Sequence, residues 1–127
     1  MNDGTRDLVE RYWAMMNRNE FRAVGDLLHD EFVLDYPQSG ERIRGRENNA
    51  RLNAEYPSAG PWQFTVDRVL VDGDQAVTDV QVRGAEVRAR VISFFEARDG
   101  LIWRMTEYWP DPFEPPADRA HLVESMT

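Results

Sequence analysis

A change in hydrophobic period near Trp62 constrains the fold of this chain more than any other feature. Upstream of it, apolar residues recur every three or four positions; downstream, they alternate. The first spacing lays an apolar stripe along a helix, and the second gives a strand one apolar face. Helices therefore come first and a sheet follows.

Four stretches after the change read as strands, over 62–71, 76–83, 86–98 and 101–109. Between them stand Asp72-Gly73-Asp74, Arg83-Gly84 and Asp99-Gly100, residues suited to tight turns. Strands joined so closely pair antiparallel, as a meander. Upstream, residues 5–17 have helical spacing, with Leu8, Tyr12 and Met15 on one stripe and Val9, Trp13 and Met16 beside it. Thr5 suits the N-cap and Asp7 the first turn. Asn17-Arg18-Asn19 breaks the pattern, and Phe21, Val24, Leu27 and Leu28 predict a second short helix over 20–28. A strand is expected at 32–36, with Phe32, Leu34 and Tyr36 on one face, and a turn at 37–40. Gly45 precedes a third helix over 46–55, stopped at Tyr56-Pro57, and 58–61 reads as a loop. Helices, one strand, a helix and four strands make an α+β order. The 127 residues suit one domain, 1–127, without linker or repeat. Residues 1–4 are expected to be a disordered start. Residues 110–127 read as a proline-rich tail with a short helix over 117–125.

Composition removes several chemistries. There is no cysteine, hence no disulfide, thiolate nucleophile or zinc-thiolate site. All 15 basic residues are Arg, so a Lys Schiff base is excluded. A net charge of −8 argues against a nucleic-acid partner, because phosphate binding needs clustered cations. No apolar run approaches the roughly 18 residues of a membrane span, so no membrane partner is expected. Residues 1–7 are polar and unlike a signal peptide, which predicts a soluble, cytoplasmic protein. His29 and His121 lie far apart, and His29 is expected at a helix end, where it complements the dipole. Asp30, Glu31 and Asp35 lack calcium-loop spacing, and no phosphate-cradling glycine loop occurs. Neither a metal nor a cofactor is expected.

Four strings carry a resemblance. They are Leu8-Val9-Glu10-Arg11-Tyr12-Trp13, the run from Tyr36-Pro37 through Gly45-Arg46-Glu47-Asn48, the run from Phe94-Phe95 through Asp99-Gly100-Leu101-Ile102, and Thr106-Glu107-Tyr108-Trp109. With the element order, they resemble the SnoaL-like branch of the nuclear transport factor two-like superfamily. The resemblance implies a cone-shaped barrel of cystatin-like type, a curved, mixed, mainly antiparallel sheet wrapped around N-terminal helices. It also implies a deep cavity open at one end and a homodimer through the outer sheet face. The superfamily includes ketosteroid isomerase, scytalone dehydratase, limonene epoxide hydrolase, polyketide cyclases and non-catalytic binding modules. The fold therefore does not choose a reaction.

The Asp99-Gly100 turn decides which residues face the cavity. A two-residue turn pairs Arg98 with Leu101; a three-residue turn with Gly100 left-handed pairs Ala97 with Leu101. The resemblance favours the second. On that register Val91, Ser93 and Phe95 share a face with Trp103, Met105, Glu107 and Trp109, which suits a pocket lining. The opposite face, with Arg90, Ile92, Phe94, Glu96, Arg104, Thr106 and Tyr108, suits a dimer contact.

Glu107 is then a lone carboxylate among bulky apolar groups. Desolvation would raise its pKa and fit it for general acid or base work; alternatively it pairs with Arg88 or Arg90 and only closes the sheet. Tyr12 matches the helix-one tyrosine with which ketosteroid isomerase holds an oxyanion; alternatively it is a core tyrosine. That enzyme's base falls on Tyr36. Its second pocket aspartate, where the polyketide cyclases also carry their catalytic one, falls on Ser93. The resemblance thus argues against either known mechanism here. Met16, Asn53 and Tyr56 are further lining candidates, the last two from the third helix. Arg42, Arg44 and Arg46 either recognise an acidic group at the mouth or form a solvated loop. Three functions follow: a cofactor-independent lyase, isomerase or hydrolase acting on a small apolar metabolite, with Glu107, Tyr12 and Tyr36 as catalytic groups; a binding protein without chemistry; or a structural dimer module.

Overall fold

The computed structural model describes residues 2–56 and 60–127. Helix α1 spans Asn2–Asn17, so it starts inside the segment expected to be disordered. Thr5 does not cap it. The Thr5 hydroxyl donates to the Gly73 carbonyl at 2.7 Å and ties the helix to a strand turn. Leu8, Val9, Tyr12, Trp13 and Met16 are all buried, as their stripe requires. The Asn17-Arg18-Asn19 break has a second use. The Asn17 and Asn19 amides bond the main chains of Phe64 and Trp62, donating and accepting at 2.6–2.8 Å, and pin the chain where the later strands begin.

The second helix is a short 3-10 turn, Ala23–Leu27, and β1 begins at once, over Leu28–Tyr36. His29 therefore stands in a strand and not at a helix end. Its Nδ1 accepts from the Glu31 main chain at 3.0 Å, which leaves Nε2 to bond the Asp99 carboxylate at 3.3 Å. Strand β2, Glu41–Arg44, was not expected. Its four residues are too few to show a period, and pairing with β1 makes it a strand. Helix α2 spans Arg46–Glu55 as expected. The stop at Pro57 and most of the 58–61 loop lie outside the described residues. Strands β3 (Gln63–Asp72), β4 (Gln75–Arg83), β5 (Arg88–Arg98) and β6 (Leu101–Tyr108) follow. The tail adds a 3-10 helix over Ala117–Leu122. Among the described residues no helix is long and apolar enough to cross a membrane.

The six strands form one mixed sheet in the order β2-β1-β6-β5-β4-β3. β1 runs parallel to β6, and every other pair is antiparallel. The sheet does not close, so β2 and β3 are its edges, and it is the mixed, mainly antiparallel sheet that was expected. Helix α1 covers the inner face.

The last hairpin corrects the expected turn. Arg98 pairs with Leu101, so the turn has two residues. Asp99 at φ 56° and Gly100 at φ 75° are both left-handed, the type I′ geometry that follows strand twist. The expected faces survive because Trp103 is inserted as a bulge between the Glu96–Arg104 and Ala97–Ile102 pairs. Beyond it Phe95 pairs with Met105 and Ser93 with Glu107.

Candidate functional site

Neighbouring strands build the inner face in rows. Ala76, Phe95, Met105 and Leu34 form one buried apolar row across β4, β5, β6 and β1. Val80 and Val91 form another. Between them runs a polar row of Thr78, Ser93 and Glu107, all buried. A buried polar group costs stability unless it is bonded, so its partners matter. The Trp13 Nε1 donates to the Thr78 hydroxyl at 3.1 Å. The Ser93 hydroxyl donates to the Glu107 Oε2 at 2.7 Å, and the Trp109 side chain bonds the same carboxyl.

Glu107 is only 5 % exposed. Burial pushes its pKa up to about 7, although the Ser93 and Trp109 bonds pull it down. Among the described residues no arginine pairs with it. Arg88 is exposed, and Arg90 bonds Asp67 and Asp79 on the outer face, so the ion-pair reading fails. Tyr12 is buried, with its ring edge-on to Trp13 at 5.0 Å and to Phe95 at 5.5 Å. Burial holds its pKa well above the ordinary tyrosine value, and the Glu107 charge and Tyr36 add to the rise. Tyr36 is half-buried and shifted upward, first by burial, then by Glu107, Glu41 and Tyr56. The Glu107 carboxyl thus titrates near neutrality, and its charge is felt by two phenols that keep their protons.

Other candidates divide. Met16, Ser93, Phe95 and Met105 are buried on the inner side, and Trp109 packs against the core. Asn53 is half-buried and donates back to the Asn49 carbonyl at 3.1 Å. Tyr56 is 59 % exposed, with its ring near Trp62. Trp103 does not line an inner pocket. As the bulge residue it turns aside and stacks with Arg98 and Arg104, at 3.8 and 4.3 Å from its ring. Arg42 pairs with Asp35, and Arg46 with Asp30 and the Leu28 carbonyl, so these arginines serve the strands.

Asn49 was missed in the sequence. It is 1 % exposed, and neither its Oδ1 nor its Nδ2 has a partner among the described residues. Only its place on the stripe Arg46, Asn49, Ala50, Asn53 could have pointed to it.

Two grooves of about 540 and 590 Å³ mark the surface. One lies between the start of α1 and the β5–β6 turn, beside Thr5, Leu8 and Trp103; the other lies between the 3-10 turn and α2, beside Phe21 and Ala54. Neither is lined by Glu107, Tyr12 or Tyr36. Among the described residues no group of three His, Asp or Glu side chains is placed to hold a metal ion.

A family model described as a SnoaL-like domain matches residues 9–105. Among solved structures, a ketosteroid isomerase candidate from Kribbella flavida DSM 17836 superposes with a TM-score of 0.91 at 38 % identity, over 99 % of this chain and 92 % of that one. An NTF-2 like protein of unknown function from Burkholderia xenovorans LB400 gives a TM-score of 0.80 at 32 % identity, over 98 % and 97 %. An LEH-like epoxide hydrolase from M. tuberculosis shares the fold, with a TM-score of 0.71 at 22 % identity over 86 % and 84 %. No curated protein matches the sequence.

Proposed function

This chain belongs to the SnoaL-like domain family, with its nuclear transport factor two-like fold, and from that premise we propose a cofactor-independent enzyme that moves one proton on a small, largely apolar molecule. The reaction is an isomerisation, elimination or hydrolysis. Glu107 is the proton carrier, because a carboxyl titrating near 7 exchanges a proton at neutral pH in either direction. Tyr12 and Tyr36 keep their hydrogens far above neutrality and donate to an oxygen that gains negative charge in the transition state. Ser93 and Trp109 hold the carboxyl in place.

The observation that carries this reading is the buried Glu107 carboxyl, held by the Ser93 hydroxyl and paired with no arginine among the described residues. The Kribbella flavida relative is named as a ketosteroid isomerase candidate. Here Tyr36 and Ser93 occupy the positions that the resemblance matches to that enzyme's carboxylates. The proposal is therefore a single-carboxylate site rather than steroid isomerisation by two. With Glu107 so little exposed, a ligand enters only as side chains at this end move.

Glu107→Gln tests the reading. Turnover of substrates found in a screen of small cyclic ketones, enones and epoxides should fall by about 100-fold or more, while binding stays. An unchanged rate refutes the assignment. The closed surroundings of Glu107 favour a second reading, a binding protein without chemistry. Native mass spectrometry separates the two, since that reading requires a retained, unconverted ligand. The outer sheet face exposes Leu70 at 64 % and Phe94 at 48 %, which supports a second copy of the chain as its partner.

A further inference from the structure

We propose that Asn49 is a ligand-binding residue whose carboxamide receives a hydroxyl group on the apolar molecule handled at Glu107. The inference rests on the proposed function and adds a second polar group to its substrate class.

A buried amide normally bonds through both its oxygen and its nitrogen, because water no longer serves them. Asn49 bonds through neither, although it is 1 % exposed. The helix does not explain it. The Asn49 main chain is satisfied, its N–H donating to the Gly45 carbonyl at 3.2 Å and its carbonyl accepting from Asn53. Only the side chain is left over. Leu or Ala would suit a buried position on α2 better, so the carboxamide needs a partner from outside the chain.

Its position fits the same site. Asn49, Asn53 and Tyr56 fall on one edge of α2, three and four residues apart. Helix α2 packs against β1 and β2. The Gly45 N–H, at the start of α2, donates to the Phe32 carbonyl of β1 at 2.9 Å, and the Asn49 N–H donates to the Gly45 carbonyl. The first turn of α2 is thus held to β1, the strand whose Leu34 pairs with Met105, two residues from Glu107.

The chemistry of the amide selects the partner. Oδ1 needs a donor and Nδ2 an acceptor. A ketone or ether satisfies only the nitrogen and an ammonium only the oxygen. A hydroxyl satisfies both, as donor and acceptor in one atom, where an amide or carboxylic acid needs two polar atoms and costs more to bury on an apolar molecule. The ligand class is therefore an apolar body with a carbonyl or similar oxygen at Glu107 and a hydroxyl toward α2.

The probes are para-hydroxyacetophenone, acetophenone and para-methoxyacetophenone, titrated by NMR into the native protein, Asn49→Leu and Glu107→Gln. The native protein should bind the hydroxy compound about tenfold more tightly than the other two. Asn49→Leu should bind all three within about twofold of one another. Without ligand, Asn49→Leu should melt no lower than the native protein, since no internal bond is lost; Asn49→Ala replaces it where Leu does not fit. Glu107→Gln should keep the hydroxyl preference, so a catalytic reading that fails leaves this one standing. The proposal is overturned if the native protein binds none of the probes, shows no hydroxyl preference or keeps that preference in Asn49→Leu. A melting point lowered by several degrees in both Asn49 variants also overturns it, because the amide then has a structural partner.

Discussion

Replacing Glu107 by Gln should stabilise the free protein at alkaline pH and hardly change it at acid pH. The folded carboxyl titrates near 7 and the unfolded one near 4.5. Between those values the folded state holds a proton that the unfolded state has released. Stability is therefore greatest below the unfolded pKa and is lost as pH rises through the folded one. The gap between 4.5 and about 7, at about 1.4 kcal/mol per pH unit, is about 3 kcal/mol. Glutamine cannot ionise and escapes that loss. It also keeps both bonds, since its oxygen can accept from Trp109 and its NH2 can donate to the Ser93 oxygen. The assay is urea unfolding of both proteins at about pH 4 and pH 8.5, below the unfolded pKa and above the folded one. The two curves should nearly coincide at the lower pH. At the higher pH Glu107→Gln should gain about 3 kcal/mol, or roughly 10 °C in Tm for a domain of this size. A difference that does not grow with pH refutes the argument. So does a Gln variant less stable than the native protein at the higher pH, because the carboxylate would then have a stabilising partner.

Gly100→Ala should cost about 1–2 kcal/mol in urea unfolding, because Gly100 sits at φ 75°. No loss would contradict the two-residue left-handed turn. Phe95→Ala should cost about 3–5 kcal/mol, since its ring fills the inner row beside Tyr12 and Met105; a loss below about 1 kcal/mol would mean the row is loosely packed. Phe94→Glu changes the outer face, where that ring meets Tyr108 at 6.1 Å, and should leave the core intact. It should convert a dimer into a folded monomer by sedimentation; a monomeric native protein would remove the dimer proposal.

The site was legible in the sequence where period and side-chain chemistry agree. Glu107, Ser93 and Phe95 were expected on one face and lie there. The route was partly wrong, since the turn has two residues and the bulge at Trp103 restores the phase. A one-residue insertion reverses every side chain beyond it, so two opposite local errors left the right face inward. Trp103 itself could not be placed, because a bulge residue belongs to neither face. Strand β2 was too short to show a period. The unpartnered Asn49 was invisible because absence of a partner is a property of packing.

Apart from β2, the order of helices and strands was readable along the chain, as were the meander, the bounds of α2 and the chemistry that Cys and Lys could not supply. These follow from local periodicity, turn residues and composition, which are fixed along the chain. Packing settled the rest: that β1 runs parallel to β6, that the Glu107 pKa stands near 7, and that among the described residues Glu107 has no arginine and the Asn49 amide no partner. Each depends on which distant segments exclude water from a given atom, and desolvation is a sum over neighbours in space rather than in sequence.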